Sequence, residues 1–137
     1  MKVLHIITDL DTGGAEMMLY KLLSSLQDEK LNSSVISLIG RGSITEKIET
    51  LGVKVESLDL KQGARPSWKA IKKLRQLIQS SNPDIVQGWM YHGNIAATIA
   101  VFLFNPMCRK VKLFWNIRQT LYNLKQEKLQ TRWLIVL

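Results

Sequence analysis

The chain has 137 residues, 46% hydrophobic and 22% charged, with a single cysteine. That length can hold a core by burial alone, and the composition is that of an ordinary globular domain, which excludes a disordered tail, a collagenous repeat and a disulfide scaffold. The net charge of +8 is unevenly placed: residues 1–60 carry six Lys/Arg against nine Asp/Glu, residues 61–137 thirteen against two, so the second half alone favours an anionic partner.

The opening segment KVLHII is short, β-branched and apolar and runs into the turn-forming TDLDTGG, which predicts a buried strand ending in a loop. His5 lies inside that strand between apolar neighbours and is expected to be a packed core histidine. From Ala15 the residues Met17, Met18, Leu19, Leu22, Leu23 and Leu26 recur at helical spacing until Asp28-Glu29-Lys30. SSVISLI predicts a second strand that stops at Gly40-Arg41-Gly42. Ser43, with Glu46 three residues on, has the form of a capping box opening a short helix ITEKIETL that Gly52 ends. VKVESLDL alternates as a third strand. Pro66 is a favoured first-turn residue, and Trp68, Ile71, Leu74, Leu77 and Ile78 mark the apolar stripe of the next helix. Asn82-Pro83-Asp84 breaks that helix before a fourth strand, DIVQGW. Residues 93–104 predict an apolar helix, KVKLFWN a fifth strand, and residues 120–137 a further helix.

Strand and helix alternate with crossovers long enough for parallel pairing, so the expected fold is α/β: one Rossmann-like domain over residues 1–137, its parallel sheet flanked by helices on both faces. The longest apolar stretch, Ile95 to Phe104, has ten residues, about half of a membrane span. The run Val3 to Ile7 is too short for a secretory signal core, and the lone Cys108 suits a reducing compartment, so a cytoplasmic location is expected. The terminal Trp133-Leu134-Ile135-Val136-Leu137 has neither cap nor polar tail, as expected of an element cut within a longer protein.

Open parallel sheets bind ligands beyond the carboxyl ends of their strands. That rule selects Asp11-Thr12-Gly13-Gly14, Trp89-Met90-Tyr91-His92-Gly93-Asn94 and Trp115-Asn116-Ile117-Arg118, all on one rim. Gly13 and Gly14 precede a helix, whose N–H groups could receive a phosphate; a tight turn that merely needs glycine accounts for the pair equally well. Glu16, in the first helical turn, suits the dipole. His92 could accept a proton or bind a sugar hydroxyl, against a plain polar residue at a helix start. Arg118 could pair with a phosphate or carboxylate, against a solvated loop charge. Trp89 and Trp115 could stack on a sugar or base, against edge packing. The basic stretch WKAIKKLRQLIQ could lie on an acidic bilayer, but a solvated outer helix face explains it more simply. No metal-ligand spacing, P-loop, GxGxxG or GxSxG occurs.

Read together and in order, HIITDLDTGGAEMMLYKLL, NPDIVQGWMYHGNIAA and FWNIRQTL resemble the amino-terminal domain of glycosyltransferase family 4 enzymes of the GT-B fold, over essentially the whole chain. The resemblance implies transfer of a glycosyl group from a nucleotide-sugar to a glycan or lipid-linked acceptor, with retention of configuration, no catalytic metal and no cofactor beyond the donor. It implies that Gly13 and Gly14 approach the donor diphosphate through their N–H groups and that Glu16 steadies their loop. Acceptor contacts would fall to Trp89, Tyr91, His92, Asn94, Asn116 and Arg118. Many members carry a histidine near the reacting carbon five positions after the Pro-Asp aspartate. That position is Trp89 here, so a catalytic role would pass to His92. The family's carboxyl-terminal, donor-binding domain has no counterpart in these residues, so little transferase activity and negligible nucleotide-sugar affinity are expected of the chain alone. The basic second half suits lipid-phosphate acceptors at the inner membrane face, making the protein peripheral there, and nucleic acid is not the expected partner. Two other classes compete: a noncatalytic basic module for anionic membrane or nucleic acid, and a dehydrogenase with Arg41 near a dinucleotide, against which the missing GxGxxG counts.

Overall fold

The structure, a computed structural model, describes residues 1–27, 31–62, 67–103 and 111–117. Among these residues five strands form one wholly parallel sheet: β1 (Lys2–Ile7), β2 (Asn32–Ser37), β3 (Lys54–Ser57), β4 (Ile85–Trp89) and β5 (Lys112–Asn116), in the order β3-β2-β1-β4-β5. The helices between them are α1 (Gly14–Ser25), α2 (Thr45–Thr50), α3 (Trp68–Ser81) and α4 (Met90–Thr98), the last running into a π-helical turn over Ile99–Leu103. The alternation of elements therefore produces the Rossmann-like α/β sheet it predicts. The order reverses at β1, which pairs with β2 on one side and β4 on the other, with Ile6 opposite both Ile36 and Gly88.

Because strand side chains alternate, β1 feeds two cores. Leu4 and Ile6 pack with Ile36, Val86 and the inner faces of α3 and α4, through Leu74, Ile78 and Ala97. Ile7 belongs to the opposite layer, with Val35, Val55 and Trp89 under Leu19 and Leu23 of α1 and Ile48 of α2. His5 lies on this second face, as expected of a core histidine, and accepts a hydrogen bond at Nδ1 from the Trp89 indole N–H, 3.3 Å away.

Several local expectations give way to tertiary contacts. The capping box does not form: α2 starts after Ile44 with no side-chain cap, and Ser43 instead meets Thr12, Oγ to Oγ1 at 2.9 Å, and gives its N–H to the Asp11 carboxylate. Ser67 caps α3, its Oγ accepting from the Ala70 N–H at 3.2 Å; Pro66 lies outside the described residues. Trp68 departs from the predicted stripe, since Ala70, Leu74 and Ile78 form the buried side of α3 and the indole is 73% exposed. Helix α4 begins at Met90, three residues before the expected start, because β4 enters it directly through a left-handed Met90 at φ +62°. The predicted helix over 120–137, Cys108 and the Asp28–Lys30 stop fall outside the described residues.

The buried imidazole makes stability depend on pH. Burial holds the His5 pKa down at about 4 from 6.5, with Gln87 weakly opposing, so the folded state keeps His5 neutral where the unfolded chain would protonate it. Its contribution is fully present above pH 6.5 and drains away as pH falls toward 4, by roughly 3 kcal/mol in total. Thermal unfolding followed by circular dichroism should show this acid loss in the wild type. His5→Gln, which can still accept the indole hydrogen bond but does not titrate, should lack most of it.

Candidate functional site

Since all five strands run the same way, the carboxyl ends of β1, β4 and β5 lie along one edge of the sheet. The strand tips are neighbours: Ile6 is opposite Gly88, and Trp89 opposite Asn116. The three segments chosen from the sequence are therefore brought together, although Arg118 lies outside the described residues.

The first segment is pinned from behind. Gly42 abuts the backbone of Leu10 and Asp11 so closely that any side chain there would collide with main-chain atoms, and the Ile44 N–H donates to the Leu10 carbonyl at 2.9 Å. Gly42 thus does the structural work that the tight-turn explanation assigns to Gly13 and Gly14. Gly13 is extended, at φ −156° and ψ 177°, a conformation open to any residue. Gly14 opens α1 with nothing within 4 Å of where a Cβ would stand. Neither backbone conformation nor crowding by the protein explains Gly14; the missing side chain leaves the start of α1 open to approach from outside.

Glu16 bends back over Gly13, where its carboxylate fills the space a Gly13 side chain would need. Burial raises its pKa; the N–H groups of Glu16 and Ala15 oppose this, and the nearby charges of Asp9 and Asp11 add to the rise. Glu16 therefore sets its carboxyl group against the first turn of α1. A phosphate arriving at these amides meets a carboxylate already in place.

The second segment is a strand-to-helix elbow built on small residues. A Cβ on Gly88 would stand 2.6 Å from the Asn94 Cα, and one on Gly93 would stand 2.5 Å from the Ile6 carbonyl oxygen. Their absence lets α4 settle directly on the tips of β1 and β4. His92 is exposed and Tyr91 half-buried in the first turn of α4, so both stand where a ligand at the rim could reach them.

Trp89 and Asn94 do not line the rim. Trp89 is 1% exposed, because strand alternation turns its indole into the layer beneath α1, so it offers no surface for stacking a sugar. Asn94 is 3% exposed, lies against Gly88, and its Oδ1 has no hydrogen-bond partner among the described residues. The aromatic surface passes instead to Trp115, 56% exposed, whose indole N–H donates to Thr98 Oγ1 at 3.0 Å. Asn116, half-buried, ends β5 at the rim. The residues that sequence reasoning missed are Gly42, which Gly40-x-Gly42 signals only as a loop, and Met90, whose positive φ has no sequence signal.

A cleft of about 280 Å³ lies at the other end of the sheet, among Lys2, Asn32, Ser34, Lys54 and Ser80. It is bounded by the starts of the strands, the end opposite the one at which open parallel sheets bind ligands, and holds no histidine. Among the described residues no group of three or more His, Cys, Asp or Glu is disposed to hold a metal, and no helix is long and apolar enough to cross a membrane. In comparisons with known proteins, no family model matches the chain and no curated protein matches it.

Proposed function

We propose that the rim is the acceptor-side half of a retaining glycosyltransferase site, which moves a sugar from a nucleotide-sugar to a glycan or lipid-linked acceptor at the cytoplasmic face of a membrane. The observation that carries this is Gly14: a side chain is missing where the protein itself would accommodate one, at a helix start that could take a diphosphate through its N–H groups. In the reaction the bond from the anomeric carbon to the diphosphate oxygen breaks, the diphosphate leaving with the electron pair. The acceptor hydroxyl oxygen bonds to that carbon and gives up its proton. In this reading His92, an exposed imidazole in the first turn of α4, receives it, and Tyr91, Asn116 and Arg118 hold the acceptor. Glu16 swings off the α1 amides as the diphosphate takes its place. The nucleotide is bound mainly by a second domain, so these residues alone bind donor weakly.

Calorimetric titration with pyrophosphate and with common nucleotide-sugars tests this. Weak pyrophosphate binding is expected, reduced in Gly14→Leu by at least about fivefold, the factor that one lost hydrogen bond of about 1 kcal/mol represents. The variant should unfold at the temperature of the wild type, since its side chain enters open space. Equal binding by both proteins, or no binding by either, would remove the glycine loop from the site. Tight nucleotide-sugar binding by this chain would overturn its assignment as the acceptor half.

A further inference from the structure

We propose that Glu16 is a built-in plug for the anion site at the start of α1, seated on Gly13 and displaced when an anion binds, so that ligand entry is coupled to protonation of its carboxylate. This rests on the glycosyltransferase reading of the rim and adds to it the regulation of the phosphate-binding end. The two glycines have separate parts in the device. Gly14 has nothing within 4 Å of where a Cβ would stand and leaves the way open for a ligand. The place of a Gly13 Cβ is taken instead by the Glu16 carboxyl group, whose carbon lies 3.1 Å from it. Since the extended backbone of Gly13, at φ −156°, suits any residue, the seat for this carboxyl is what the missing side chain provides.

The carboxylate is held weakly, as a displaceable plug must be. Helix α1 has no side-chain cap, so Glu16, the acidic residue of its first turn, is what meets the positive end of the dipole. Partial burial works against its charge, and so do Asp9 and Asp11 on the loop leading into α1, while the N–H groups of Glu16 and Ala15 favour it. No cation offsets the repulsion. Glu16 forms no ion pair among the described residues, Arg41 on the neighbouring loop is engaged by Glu49 of α2, and His92 of α4 forms none. Glu46 and Lys47 of α2 are exposed. The result is a raised pKa, so Glu16 takes up a proton more readily than an ordinary glutamate. A phosphate brings more charge to the same amides than one carboxylate does, and it displaces a protonated Glu16 most easily. By linkage, a proton on Glu16 then raises the affinity for the anion by the same factor as the anion raises the affinity for the proton.

Two measurements test the plug. Without ligand, the Glu16 carboxyl carbon resonance, followed as pH is varied, should titrate above the ordinary glutamate range in the wild type and return toward that range in Gly13→Ala, whose added methyl group evicts it. That variant should unfold at nearly the wild-type temperature, because the nearest atoms it meets are the free end of a flexible side chain. With ligand, Glu16→Gln should bind pyrophosphate about fivefold more tightly than the wild type at about pH 8, the factor that a carboxylate at a helix start represents. The difference should shrink toward about pH 5.5, as Glu16 of the wild type takes up its proton; the titration of pyrophosphate itself affects both proteins alike. Glu16→Gln should unfold at an equal or higher temperature, since it removes a charge that the fold disfavours. An unchanged titration in Gly13→Ala overturns the seat. Equal pyrophosphate affinity of wild type and Glu16→Gln at both pH values overturns the plug and leaves the transferase reading to its own test with Gly14→Leu. No binding by any of these proteins overturns both.

Discussion

Trp89→Ala is expected to cost about 4 kcal/mol, the range for emptying a fully buried aromatic site. The indole is 1% exposed, packs with Ile7, Ala15 and Leu19, and donates to His5, so its removal leaves a cavity between sheet and α1 and an imidazole nitrogen without its donor. Domains of this size hold only about 5–15 kcal/mol in all, so the variant should have a greatly lowered denaturation midpoint in urea. Trp89→Phe, which keeps most of the volume and loses the hydrogen bond, should recover more than half of the deficit. The functional consequence is that Trp89, at the position where the resemblance implies a catalytic histidine, is a structural residue here. A loss below about 1 kcal/mol, the scale of a surface change, would show that the indole is not packed in this core and would return it to the rim.

Gly93→Ala should be nearly as damaging for a different reason. In the interior of a helix alanine is favoured over glycine by about 1 kcal/mol, so α4 considered alone would gain. The new Cβ, however, would stand 2.5 Å from the Ile6 carbonyl oxygen and 3.4 Å from the Ile7 Cα, main-chain atoms of the central strand that have no side-chain freedom with which to yield. Relief requires α4 to lift from the sheet, and His92 and Tyr91 would move with it. A net loss of about 2–3 kcal/mol is expected in urea unfolding, together with altered amide resonances along α4. Unchanged stability would mean that α4 does not approach β1 this closely, and the elbow that places His92 would have to be redrawn.

The same two positions show what the chain reveals about itself. Its strands and their parallel order are legible, because KVLHII and DIVQGW are apolar runs between turn signals and the intervening helices are long enough for crossovers. The start of α4 is not. Gly93 has the look of a helix boundary, but it lies inside the helix as its point of contact with β1, and the true boundary is a methionine in a conformation that methionine rarely takes. Ser43 and Glu46 satisfy the capping pattern locally, yet Ser43 is claimed by Thr12 and Asp11 from a distant loop. Trp68 reads as core because it is large and apolar, while the small Ala70 takes the place against the sheet. At the rim, the meeting of the three strand ends follows from topology alone, whereas the side chains that face outward depend on strand alternation and register. Trp89 therefore turns inward and Trp115 stays exposed.

The central claim is that ligand binds where the ends of β1, β4 and β5 meet. The most direct measurement is the pyrophosphate titration followed residue by residue through backbone amide resonances. Shifts should concentrate in Gly13 to Met17, with smaller ones in Tyr91 to Asn94 and at Asn116. Shifts centred instead on Lys2, Ser34 and Ser80, at the opposite end of the sheet, would contradict the assignment.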